Sequence, residues 1–369
     1  MIKENGSKKI RIYFKTAVTA FLLSTAVLAL CIVNTGFAQW YSDTVSAFFR
    51  YVAALVTGFL PVSVAEICVI LLPFVFVLMV IFAVRAVVKR SFNVKSTVMT
   101  VFSVIFSAYA VFVNVFAVCY FKYPLEAQLD LERSALTKEE LYSDAVYTHK
   151  MLCNYADDVN YDKSGASVNP HSFYETGKLI DKGYDALSDS GVYKSVMVGN
   201  AKPVFLSKLM TYTHISGMYM PFTGEANVNT NYPDYVVAFT IAHEKAHQRG
   251  IAGEDEANFM AFLACMASGD GYLKYSAMMN MYDYYLDETL VNDTQMYTEL
   301  VENTDKRIIG EMFSYYNFFK KYSDSAASKA ADKVNDTYIK AMGNDDGIKS
   351  YGLVIELYHA YIVKDKNNP

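Results

Sequence analysis

The sequence predicts a mainly α-helical chain in two parts: three amino-terminal transmembrane helices, then an α-rich extracytoplasmic domain with a small β element. Three observations predict this. The residues are 53% hydrophobic and only 19% charged, against roughly a quarter charged in ordinary globular domains. Charge is also divided, with 10 Lys/Arg against 3 Asp/Glu in residues 1–120 and 23 against 35 in residues 121–369. Finally, long charge-free runs fill the first third, whereas helix caps and amphipathic patterns fill the rest. A basic membrane-embedded front and an acidic, water-exposed back follow. The apolar content excludes disorder for most of the chain. With no basic tract in the acidic part, nucleic acid is not an expected partner.

The charge-free runs are Thr16–Trp40, Ile67–Val84 and Ser96–Phe121; crossing a bilayer core takes about 20 helical residues. Apolar Leu60–Ala65 extends the second run around Glu66, so the spans are read as 16–40, 62–84 and 96–121 of a membrane domain 1–121. Gly36-Phe37-Ala38 resembles a signal-cleavage site, but the run before it exceeds the usual core of about 7–15 residues. Lys3, Lys8, Lys9, Arg11 and Lys15 precede the first span, and Arg85, Lys89, Arg90 and Lys95 separate the second from the third; only Arg50 lies between the first two. Basic segments stay cytoplasmic, which puts the amino terminus inside a plasma membrane and everything after about residue 122 outside. Between the first two spans, Val45, Phe48, Phe49, Val52, Leu55, Val56 and Phe59 oppose Asp43, Ser46, Arg50 and Thr57 at helical spacing. That pattern predicts an amphipathic helix over 43–60, on the outer leaflet or packed under the outer domain. Glu66 and Asn114 are too few polar groups for a transport path.

In the domain 122–369, Thr137-Lys-Glu-Glu140 and Ser172-Phe-Tyr-Glu175 are capping boxes that open helices at about 137–156 and 172–187. Lys202–Thr213 reads as helical, and Ser216–Asn229 as one or two short strands. Pro233 starts a helix that Gly250 stops. Further helices are expected at about 253–268, 271–288, 292–322, 326–341 and 348–363. The five cysteines form no CxxC pair; Cys31, Cys68 and Cys119 read as small buried hydrophobes, and the spacing leaves open whether Cys153 and Cys265 pair.

The decisive stretch is Ala242-His243-Glu244-Lys245-Ala246-His247-Gln248-Arg249-Gly250. On a helix, residues four apart share a face, so His243 and His247 can direct two imidazoles at one cation. Glu244, about 100° around the helix, is placed to flank a metal and act as general base. Imidazole and carboxylate in tetrahedral array suit a single Zn2+ ion, and a catalytic zinc needs a third protein ligand. Gly253-Glu254-Asp255-Glu256-Ala257-Asn258 supplies the candidates. Glu254 is favoured, Glu256 is the alternative, and Asn258, four residues after Glu254, is placed to accept an N–H from a ligating histidine. Merely decorating a helix N-terminus would also suit these acids.

The HExxH helix followed by Glu254, Ala257 and Asn258 resembles the gluzincin zinc peptidases. With Pro221–Asn229, Asn335–Lys340 and Ser350-Tyr351-Gly352, it is also similar to an uncharacterised family of multi-span bacterial membrane proteins carrying zinc-peptidase motifs. This resemblance covers most of the chain and implies a zincin-like fold for residues 122–369. Two features depart from it: only six residues separate His247 from Glu254, and Asn258 stands where gluzincins usually have Asp.

The resemblance implies hydrolysis of peptide bonds in extracytoplasmic peptides or proteins, with Glu244 moving the proton. His214, Tyr351 and Tyr275, or another tyrosine of the set Tyr272, Tyr282, Tyr284 and Tyr285, are candidates for stabilising the transition state. A strand over Phe222–Asn229, with Gly224, Glu225 and Asn227 as contact positions, either pairs with extended substrate or forms a plain core hairpin. His149, His171 and His359 are lone histidines without an expected metal role. The rival readings are a non-hydrolytic zinc-bearing membrane sensor and an envelope assembly factor.

Overall fold

The computed structural model describes residues 2–89, 92–195, 197–323, 325–342 and 353–367. Arg90, Ser350-Tyr351-Gly352 and the start of the last expected helix lie outside them. The chain is mostly helical with two small sheets, and three of its amino-terminal helices are long and apolar enough to cross a membrane. The first, Ile2–Val33, stops short of the expected residue 40 because the Asn34 side chain accepts the N–H of Phe37 and starts a new short helix, Thr35–Tyr41. The second, Val64–Val88, is capped by Ser63 and runs unbroken through Pro73. The third, Val94–Val115, is capped by Asn93 and continues as a 3-10 turn, Ala117–Phe121. The first and third pack together through Phe21, whose ring lies 4.7 Å from Phe106 and 4.9 Å from Tyr109. Asn114 ties them further, donating to Ser24 at 2.7 Å and accepting from Tyr41. The second span stands apart, its side chains exposed all round.

The amphipathic segment begins as a π-helical turn, Ser42–Ser46, and continues as the helix Ala47–Gly58. Its polar face turns inward. Ser42, Ser46 and Arg50 are buried while Phe48, Phe49, Leu55, Val56 and Phe59 are exposed. The Arg50 guanidinium donates to the Ser42 and Val115 carbonyls, Ser46 Oγ and Cys119 Sγ. A buried cation is tolerable there because these acceptors replace its hydration.

In the rest of the chain the core is built on three consecutive helices: the motif helix Asp234–Gln248, the acidic helix Glu254–Ala267 and the tyrosine helix Gly271–Asn292. Lys138–Ala156, Phe173–Asp189 and Val354–Asn367 pack around them, and both expected capping boxes form. A two-residue hairpin, β1 (Asn160–Tyr161) with β2 (Ser167–Val168), lies at one side. The other sheet has the order β3-β5-β4, with β3 at Lys202–Pro203, β4 at Gly217–Met220 and β5 at Glu225–Val228. β5 is central, parallel to β3 and antiparallel to β4, with Gly217 opposite Val228. This sheet packs on the motif helix.

Two expectations fail, one for a long-range reason and one for a local one. Only Ser207–Thr211 of the expected helix 202–213 is helical. Lys202 is instead drawn into β3, where its buried ammonium caps the carbonyls of Thr57 and Leu60 at the end of the amphipathic helix. The expected helix 292–322 breaks into Thr294–Glu302 and Lys306–Phe319, because Asp305 turns its carboxylate onto the Arg307 N–H as an N-cap. All five cysteines are free, Cys153 and Cys265 included.

No linker separates the two halves. One core cluster joins Cys31, Ala38, Tyr41, Val113, Phe116, Val118 and Cys119 to Tyr219 of β4 and to Ala252 beyond the motif helix. The second span is held at its N-terminus by Glu225, which accepts the N–H groups of Val64 and Ala65 at 3.0 and 2.8 Å. A carboxylate at that end is favoured by the helix dipole.

Candidate metal centre

The motif helix is almost wholly buried, and His243 and His247 line a cleft. Gly250 ends the reversal after it with φ +87°, a conformation costly for a residue with a Cβ. The turn brings the Ile251 carbonyl back to His247 Nδ1, at 2.7 Å, and points the first turn of the acidic helix at the histidines. A carbonyl only accepts, so His247 Nδ1 carries a proton. His243 Nδ1 meets Asn258 Oδ1 at 2.8 Å. With both Nδ1 atoms engaged, both Nε2 atoms face inward.

These Nε2 atoms lie 3.0 Å apart, and Glu254 Oε2 lies 3.2 Å from His243 Nε2 and 3.4 Å from that of His247. The edge of a zinc tetrahedron with bonds of 2.0–2.1 Å is about 3.3–3.4 Å, so the three donors already occupy three corners of such a figure. Glu254 Oε2 is buried and its polar neighbours are the two imidazole nitrogens, so it points into the space between them. The donor set therefore fits a divalent ion of zinc's size and taste. The other expected ligand does not join it: Glu256 Oε1 accepts the Leu125 N–H at 2.6 Å, and burial with neighbouring Asp255 raises its carboxyl to about 7.

Glu244 lies beside this triad rather than within it. It accepts the backbone N–H of Tyr219, its Oε2 has no partner, and burial raises its carboxyl above the usual range against the opposing pull of His243 and His247. Space for it depends on Gly217, where a Cβ would fall 2.5 Å from Glu244 Oε1. Burial alone would lower His247, but the carboxylates of Glu254 and Glu244 and the bonds to Glu254 and Ile251 outweigh it and hold the imidazole at about 9. Burial would likewise raise Glu254; the two imidazoles hold it well below the usual carboxylate range instead.

The cleft above these groups has a volume of 1010 Å³. β4 forms one side, the helix Ala326–Ala341 another, and Phe112, Phe116 and Tyr120 at the end of the third span a third. Phe116 stands edge-on to the His247 ring at 6.0 Å. Tyr284 and Tyr338 line the cleft, and burial raises both hydroxyls, so both are protonated donors at neutral pH.

The remaining expectations divide. His214 lines the cleft, but its Nε2 is bound to the Tyr322 carbonyl at 3.0 Å. Tyr275 does not reach it: the side chain is in the core, donating to Glu311 at 2.9 Å, and Tyr272, Tyr282 and Tyr285 are buried with it. Tyr351 lies outside the described residues. Gly224, Glu225 and Asn227 do not line the cleft. Gly224 packs against Ala53 and Ala54, Glu225 caps the second span, and Asn227 bonds Ser63 Oγ. They belong to the central strand and its approach, and the edge strand at the cleft is β4. His149, His171 and His359 bond the Asp305 N–H, Asp270 and Asp144 respectively. Tyr338 went unassigned in the sequence. The signal for it is the face formed by Ala327, Ala330, Ala331, Val334 and Tyr338 at helical spacing.

A family model described as a protein of unknown function, DUF3810, matches residues 41–358. The chain belongs to that family. The match takes in the amphipathic helix, the second and third spans and every residue of the triad, so the DUF3810 unit itself joins membrane segments to the candidate centre. No curated protein and no solved structure matches the chain.

Proposed function

We propose that this DUF3810 protein is a membrane-anchored, zinc-dependent peptidase with its site on the extracytoplasmic side. The observation that carries the reading is the convergence of His243 Nε2, His247 Nε2 and Glu254 Oε2 within 3.0–3.4 Å, beside the partnerless Glu244 Oε2. His243, His247 and Glu254 would hold the ion, with Asn258 Oδ1 and the Ile251 carbonyl fixing the imidazoles. When bound, zinc supplies Lewis acidity, polarising a carbonyl and acidifying water. Glu244 Oε2 takes the proton of the attacking water and delivers it to the leaving amine, and burial, by raising its carboxyl, makes it a stronger base than a free glutamate. β4, at the edge of its sheet, offers backbone to an extended chain, and Tyr284 or Tyr338 offers a hydroxyl to the developing oxyanion. The gluzincin-like sequence pattern supports the same reading. A purely structural metal site would give no reason for a buried glutamate beside the triad whose Oε2 has no partner.

The test is zinc content and hydrolysis of a mixed peptide library by the full chain in detergent, for wild type and Glu244→Gln. Equal zinc in both, with hydrolysis lowered about 10²–10⁴-fold in the variant, is expected for loss of a general base. Equal hydrolysis by both refutes the role of Glu244, and no zinc in either refutes the centre.

A further inference from the structure

We infer that the substrate is a polypeptide tethered to the same bilayer and cut in an apolar internal stretch close to where it leaves the membrane. This rests on the peptidase reading and narrows its substrate. The cleft wall formed by Phe112, Phe116 and Tyr120 is the last turn of the third span and the residues that directly follow it. Phe116 immediately follows that helix and its ring touches a ligand histidine edge-on, so the centre sits within a helical turn or two of the bilayer surface, about 5–10 Å.

The rim is apolar on the same level. Met218 and Phe222 at the cleft are 43% and 50% exposed, and nearby Phe205 and Leu209 are 88% and 64% exposed. Glu66, in the first turn of the second span, accepts the N–H groups of Phe205 and Leu206 at 2.8 Å each, which pins that apolar patch to the end of a span. With the exposed face of the amphipathic helix, these exposed apolar side chains suit contact with lipid.

Charge decides what enters. Beyond Glu244 and Glu254, Asp332 is the only acidic residue lining the cleft, and no lysine or arginine lines it among the described residues. Beyond the metal centre, a free carboxyl terminus or a phosphate headgroup would find no lysine or arginine to pair with, whereas an uncharged internal stretch meets aromatic and methionine side chains. The reaction is hydrolysis: the oxygen of water bonds to the acyl carbon, the C–N bond breaks, and the amine leaves protonated through Glu244. No oxidant or co-reactant enters.

The experiment uses zinc-loaded full chain in phosphatidylcholine vesicles with single-span test substrates. One apolar segment is placed after Gly/Ser spacers of about 5, 15 and 30 residues, which behave as flexible coils, and the same segment is also supplied as a soluble peptide. Cutting should be fastest with the shortest spacer and at least tenfold slower with the longest, with cut positions, mapped by mass spectrometry, staying near the anchor. Leu209→Asp, outside the cleft, should slow the tethered substrates and spare the soluble peptide. Equal rates at all spacers, or a soluble peptide cut as fast as the tethered ones, overturns the inference and leaves the peptidase intact. No cutting in any arm overturns both.

Discussion

Zinc uptake by this centre should expel a proton, and the amount follows from the geometry. His247 Nδ1 donates to the Ile251 carbonyl, and its Nε2 faces both His243 Nε2 at 3.0 Å and Glu254 Oε2 at 3.4 Å. An imidazole so placed holds two protons in the metal-free protein, which agrees with its elevation to about 9. Its folded value exceeds the free one of about 6.5. The stabilisation of the metal-free fold is therefore complete below about 6.5 and is lost as pH rises through about 9. Metal takes only the neutral imidazole. At pH 7 the proton must be removed about two units below its pKa, a cost of about 2.7 kcal/mol at 1.36 kcal/mol per unit, or roughly a hundredfold in affinity. Apparent zinc affinity should thus rise about tenfold per pH unit from about 7 and level off near 9. Competition against a chelator of known protonation, with calorimetry in two buffers of different ionisation heat, measures both slope and proton count. Glu254→Gln removes the strongest partner raising His247, so it should flatten the slope as well as weaken binding. A pH-independent affinity with no proton released would mean His247 is neutral before metal arrives, and the argument fails.

Asn258→Ala should weaken zinc binding about 10–100-fold, the usual effect of losing a group that orients a ligand; chelator competition at one pH reads it, and unchanged affinity would remove Asn258 from the centre. Gly217→Ala should keep zinc yet cut hydrolysis by up to about 100-fold, because its Cβ would lie 2.5 Å from Glu244 Oε1 and 2.6 Å from Thr240 Cγ2 and displace the base by part of an ångström; full activity with zinc retained would show that β4 yields freely. Gly250→Ala combines φ +87° with a Cβ 2.5 Å from the buried Arg50 Nη2. It should destabilise the protein by on the order of 2 kcal/mol, seen as a lower melting temperature in detergent, and an unchanged one would refute the close packing of the two halves there. A fragment of residues 122–369 lacks Arg50, Phe112, Phe116 and Tyr120, and should aggregate or bind zinc far more weakly than the full chain. A well-folded fragment with full affinity would restore the independent outer domain that the sequence suggests.

Much of this was legible because it depends on local chemistry. The capping boxes at Thr137 and Ser172 each satisfy their own helix end, and HExxH places its histidines by helix geometry alone. That Glu254 rather than Glu256 turns toward the histidines was legible as well, since the first position of the acidic helix faces back over the reversal at Gly250. What stayed hidden depends on partners distant in sequence. Lys202 reads as a helical residue until the end of the amphipathic helix offers it carbonyls. Glu225 reads as a substrate contact until it caps the second span. Hydropathy also passed over Asn34, a single cap that ends the first long helix inside an apolar run.

The same cause explains why a boundary near residue 121 looked natural and yet divides a single packed unit. Hydropathy registers where charges resume, and they resume at Lys122, directly after the third span. Side chains carry the packing past that point: Phe116 and Cys119 share a core with Tyr219 and Ala252, and Arg50 reaches from the amphipathic helix to Gly250 beside the motif helix. Tyr219 in turn donates its N–H to Glu244, and Ile251, next to Gly250, holds His247. These contacts at Tyr219, Gly250 and Ala252 thus lie one residue or less from a group that positions Glu244 or His247. A change in how the spans pack would be felt at Glu244 and His247, which on the peptidase proposal would give the membrane segments a part in placing those groups as well as in anchoring them.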